Sequence, residues 1–206
     1  MTEGNKSARE LLEESLSIIT HPILELENGD IVTGWTGWDE FKDLYHYKNR
    51  VKILDPTLVK VTENKVTNNA VCAIGAIALA NLAQNLNVDR DSYRGWGTQM
   101  TLNVQVAIAT VALAQVIYRR KNLPLDYLDT QWPHLANRAE VMGLWHVPLK
   151  TLIDAAETQP DLVRQLAQMT VNVVTGWNDN DYRTWPEVAE VFTDAIKDLI
   201  KAEEEV

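Results

Sequence analysis

The sequence predicts a mainly α protein, one helical domain (1–206) around two apolar central helices, with a small β-hairpin or short strands in its N-terminal third. Three observations lead there. Asn69 to Leu82 carries no charge and is crowded with alanine, the strongest helix former, while Val71, Ile74, Ile77, Ala78 and Leu82 recur at helical spacing. Thr98 to Arg120 is a second weakly polar stretch, with Val104, Ile108, Val111, Ala112 and Ile117 on one side. Between Ile23 and Trp35 the period changes from helical to alternating. Stretches apolar on every side belong inside a core, so residues 69–83 and 98–120 are read as central helices, with 69–83 as the hub and the two paired antiparallel. Gly75 costs a helix about 1 kcal/mol relative to alanine, which suggests that another backbone passes close by.

The elements follow in order. Ser7 and Glu10 form a capping-box pattern ahead of the apolar stripe Leu12, Leu16 and Ile19, which predicts a first helix over 7–19 that stops at His21-Pro22. Residues 23–67 read as a hairpin followed by an extended region. Leu24 and Leu26 alternate with Glu25 and Glu27, and Asn28-Gly29 supplies a tight turn before Ile31-Val32-Thr33. Asp39 to Tyr47 reads as a helical turn or two, and Arg50 to Thr67 as two short strands or an extended arm broken at Asp55-Pro56. Thr67-Asn68-Asn69 is placed to cap the hub helix. Asn85 to Gly97 reads as a polar loop and Leu123 to Trp132 as a linker.

Residues 133–204 hold the C-terminal helices: Pro133 to Leu144, Pro148 to Ala156, Pro160 to Val174 and a terminal one. Thr158 and Asp161 resemble a cap. Gly176 to Tyr182 reads as a turn-rich loop. Thr184 and Glu187 form a second capping box. It opens an amphipathic helix with Val188, Val191, Phe192, Ala195, Ile196 and Leu199 inward.

Composition narrows the function. Lys and Arg total 19 against 29 Asp and Glu, a net charge of −10 that repels phosphate backbones and disfavours nucleic acid as a partner. Cys72 is the sole cysteine, so neither an internal disulfide nor a cysteine-rich zinc site can form. The polar start, Met1 to Arg9, lacks the apolar core of a signal peptide. Val104 to Tyr118, interrupted by Gln105, Thr110 and Gln115, falls short of the ~20 apolar residues a membrane span needs. A cytoplasmic location without membrane insertion is the expectation.

Few residues carry recognisable chemistry. Cys72, near a helix start, is a candidate nucleophile, since the helix dipole lowers a thiol pKa; the alternative is core packing. Asp179, Asp181 and Glu190 occupy positions 1, 3 and 12 of a calcium-loop spacing. Arg183 and Thr184 stand where that loop needs a ligand and a glycine, so a turn capping the last helix is the competing reading. His21, His46, His134 and His146 show no metal-ligand spacing, and no P-loop, dinucleotide fingerprint or nucleophile elbow is present. No cofactor is implied. Trp35, Trp38 and Trp96 lie in glycine-bearing loops, where they either pack against their own loops or form a contact surface or pocket rim. Trp145 and Trp177 close apolar helices and are read as core.

Two pieces of the chain resemble a family of uncharacterised proteins from actinobacteria and their phages. Val71-Cys72-Ala73-Ile74-Gly75-Ala76-Ile77 is similar to that family's Cys-x-x-Gly-Ala helix. Trp177-Asn178-Asp179, followed by Thr184 and Glu187-Val188 in a terminal helix ending near Ala195, is similar to its C-terminal motif. The opening helix and the Gly34-Trp35 loop fit the same order, while the middle, Gln84 to Met169, is longer than the family's. The resemblance implies ancestry and no chemistry. Two functions stand side by side. One is an acidic protein-interaction or regulatory module, encoded by a phage or mobile element. The other is a small enzyme or ligand- or metal-binding protein with a pocket where Trp177, Asn178 and Asp179 meet the Cys72 helix, with Asp179 or Asp181 as base or ligand.

Overall fold

A computed structural model describes residues 6–36, 51–61, 66–68, 70–82, 103–121, 147–179 and 183–205. In chain order these form α1 (Ala8–Thr20), β1 (Pro22–Leu26), β2 (Ile31–Thr33), β3 (Val51–Ile53), β4 (Val59–Val61), β5 (Val66–Asn68), α2 (Ala73–Leu82), α3 (Val104–Lys121), α4 (Leu149–Thr158), α5 (Pro160–Asn178) and α6 (Trp185–Glu204). The protein is mainly helical, with a small antiparallel sheet near its N-terminal third. The expected turns at 39–47, loop at 85–97, linker at 123–132 and helix at 133–144 lie outside the described residues, as do Trp38, Trp96, Trp145 and Asp181.

Local signals set the first elements. In α1 the Glu10 amide donates to Ser7 Oγ at 3.2 Å and the Ser7 amide to Glu10 Oε2 at 2.7 Å, closing the capping box. The helix turns Leu11, Leu12 and Ile19 inward. Its buried Ser15 is satisfied by donating its hydroxyl to the Leu11 carbonyl. Proline then forces an extended backbone, and β1 begins at Pro22.

β1 is the middle strand of a sheet ordered β2-β1-β3, antiparallel throughout. The β1–β2 connection is wider than a two-residue Asn-Gly turn. The Gly29 amide reaches the Leu26 carbonyl and the Leu26 amide reaches the Asp30 carbonyl, both at 2.9 Å. Gly29 takes φ +86°, the left-handed residue that closes a three-residue hairpin loop. The extended region resolves into β3 and a β4–β5 ladder. Ile23, Leu24, Val66 and Ala70 form a minor core beneath these strands.

After β2 the chain passes close to the end of α1. A Cβ at Gly34 would stand 2.0 Å from the Ile18 carbonyl oxygen, so only glycine fits without a backbone shift. From there the chain pairs with the residues leading into α2. The Val71 amide donates to the Gly34 carbonyl at 2.8 Å and the Thr36 amide to the Val71 carbonyl at 3.0 Å.

Among the described residues the main core centres on α3, which differs from the expectation that α2 is the hub. α3 packs most extensively on α5 and also meets α1, α2, α4 and α6, whereas the main partner of α2 is α1. The reason lies in side-chain size. Ala107, Ala109, Ala112 and Ala114, all fully buried, let neighbouring helices come close on several sides, while Ile108, Leu113 and Ile117 fill the gaps. At its solvent end Arg120 bonds Glu190 at 2.8 Å and also Asp194, and Arg119 bonds Asp198, fastening α3 to α6. α6 carries its own capping box at Thr184 and Glu187 and buries Val188, Val191, Phe192, Ala195 and Leu199. No helix among the described residues is long and apolar enough to cross a membrane.

Two helix boundaries differ from expectation. Thr158 ends α4 and does not cap α5; Gln159 stands at that N-cap without a side-chain bond. Pro160, first in α5, has no amide to satisfy, which lessens the need for a cap. At its other end α5 runs on through Gly176, Trp177 and Asn178, where a loop is expected.

Candidate functional site

The C-terminus of α5 brings the sequence-predicted residues to the start of α2. Asn178, the last residue of α5, is 1% exposed. Its side-chain oxygen accepts the Trp35 indole N–H at 2.7 Å and the Ala73 amide at 3.0 Å. Its amide group donates to the Thr36 carbonyl at 3.3 Å and to Asp179 Oδ1 at 3.0 Å. Two donors face the oxygen and two acceptors face the nitrogen, so one orientation of the amide satisfies every partner and uses its whole hydrogen-bonding capacity. The Ala73 amide is one of the free donors at the head of α2. Asn178 therefore caps α2, a role the sequence suggests for Thr67-Asn68-Asn69; Thr67 and Asn68 instead belong to β5, and Asn69 lies outside the described residues.

Cys72 precedes α2, with its carbonyl accepting the first intrahelical bond from Ala76 at 2.9 Å. Burial pushes its thiol from 9.0 up to about 11, and the charge of Asp179 adds to the rise; the Gly75 and Ile74 amides favour the thiolate without offsetting them. The helix start thus does not supply the lowered pKa that a cysteine nucleophile requires, which goes with the core-packing reading of Cys72.

Trp35 is 1% exposed and joins the main core, so it offers no face to a partner, and of its two readings burial holds over contact. The reason is that the pairing of Gly34 and Thr36 with Val71 turns the indole inward to meet Asn178. Trp177 is equally buried, in keeping with a core role. The Arg183 guanidinium lies 4.7 Å above its ring and donates from Nε to the Trp177 carbonyl at 3.1 Å and toward Glu187 at 3.4 Å. Arg183 thereby ties the end of α5 to the start of α6, a role without a local sequence signal. The Trp177 indole nitrogen is buried without a partner among the described residues.

Asp179 is exposed and closes α5, its amide donating to the Thr175 carbonyl at 2.9 Å. Glu190 is held by Arg120 at the α3–α6 edge. Of the proposed cation set Asp179, Asp181 and Glu190, one member lies outside the described residues and another is engaged in an ion pair. Among the described residues no group of three or more His, Cys, Asp or Glu is placed to hold a metal ion. The sequence pattern does not foretell a further cross-link, His21 Nε2 with Asp55 Oδ2 at 2.8 Å, which joins the end of α1 to the β3–β4 turn.

What the arrangement does is mechanical. Three segments distant in sequence, the hairpin exit, the head of α2 and the tail of α5, meet on one amide. No family model, curated protein or solved structure matches the chain.

Proposed function

We propose that the chain is a cytosolic, acidic protein-interaction module of a regulatory kind, such as phages and mobile elements encode. The observation that carries this reading is the full engagement of Asn178, which makes the polar cluster a joint of the fold rather than an open pocket. The protonated Cys72 and the Arg120-bound Glu190 support it in the same way. In the competing reading, an enzyme or a ligand- or metal-binding site at Trp177-Asn178-Asp179, Asn178 could serve a ligand only by breaking these bonds, leaving buried donors unpaired at about 1–3 kcal/mol each.

We propose the small sheet as the surface for a partner; among the described residues Leu162 of α5 is the other exposed large apolar side chain. Ile31, Ile53, Leu54 and Val61 lie on or beside its strands and those of the β4–β5 ladder, and each is at least a third exposed. Apolar side chains held at a surface gain most from being covered by a partner. The register sets Ile53 opposite Leu24 and Ile31 opposite Glu25, so β3 and β2 each present one on opposite faces. The net charge of −10 favours a partner with a basic surface.

The test is affinity capture from an actinobacterial lysate at low and physiological salt, comparing the wild type with an Ile53→Asp, Leu54→Asp double variant. The expected result is a specific protein retained by the wild type and lost by the variant, with the circular dichroism of the two unchanged. Recovery of nothing above background at either salt, or equal recovery by both proteins, would overturn the proposal.

A further inference from the structure

We draw no further inference here: the strongest candidate, the partly exposed apolar patch of the N-terminal sheet around Ile53 and Leu54, belongs to the surface already described, and nothing in the structure shows what covers it.

Discussion

Trp35 and Asn178, 143 positions apart, are joined by a buried hydrogen bond of 2.7 Å from the indole nitrogen to the side-chain oxygen. The same oxygen holds the first amide of α2. Replacing Asn178→Ala leaves both donors buried and unpaired, and the expected loss is about 2–4 kcal/mol of unfolding free energy. Urea denaturation followed by tryptophan fluorescence measures it. A loss under about 0.5 kcal/mol, the range of ordinary surface changes, would show that the joint is dispensable.

Gly34 and Gly29 are required for different reasons, and their alanine variants separate the two. At Gly34 the new methyl meets a backbone oxygen at 2.0 Å, so the hairpin exit must move away from α1. The expected cost is about 2–4 kcal/mol, in the range of overpacked sites. At Gly29 there is open space, and only the positive φ is strained, at about 1–2 kcal/mol. Thermal melts that rank Gly29→Ala as the more damaging change would contradict the close approach of the chain to Ile18.

The Cys72 thiol gives an alkaline signature. Its folded pKa, about 11, lies above the ordinary value of 9.0, so the unfolded chain loses this proton first. Its contribution to stability is therefore complete below the unfolded value and is lost as the pH rises through the folded one. The wild-type urea midpoint is expected to fall more steeply than that of Cys72→Ser across this window. Parallel curves would place the thiol in water, as would alkylation of the folded protein as fast as that of the unfolded chain.

An acid signature belongs to Asp55. Hydrogen bonds from Thr57 and His21 hold its carboxyl at about 2, below the ordinary 3.8. The sign is opposite to that of Cys72: the stabilisation is present above the unfolded value and disappears as the pH falls through the folded one. Asp55→Asn is expected to be less stable than the wild type at neutral pH and to approach it toward pH 2. A difference that does not change with pH would mean that the carboxylate charge is not what Thr57 and His21 recognise.

Legibility in the sequence followed the range of the interactions. α1 and α6 could be read because their caps, Ser7 with Glu10 and Thr184 with Glu187, lie three residues apart and precede regular apolar stripes. The β1–β2 hairpin was legible from alternation, although its three-residue loop was not. At the end of α5 the local signals mislead, because Gly176 and the Asn-Asp run mark a turn where the helix continues. Burial of Trp177 and the long-range bonds of Asn178 outweigh the roughly 1 kcal/mol that a helical glycine costs. The cap of α2 comes from 105 residues away, beyond any local pattern. Hydrophobicity marks α2 and α3 as buried but not by which neighbours, so it does not tell which of them the described helices gather around. Trp35, Cys72, Trp177, Asn178 and Asp179 stood out singly by residue type; only the fold shows that they converge, and that their bonding is internal.

The most direct measurement is a double-mutant cycle on urea unfolding with Trp35→Phe, Asn178→Ala and the two combined. Phenylalanine keeps the aromatic ring and removes the indole N–H, so the cycle isolates the bond between the two side chains. A structural joint predicts a coupling of about 1 kcal/mol or more, with the double variant less destabilised than the two single losses added together. Losses that add to within about 0.3–0.5 kcal/mol would mean that the two residues act independently and would contradict the joint between them.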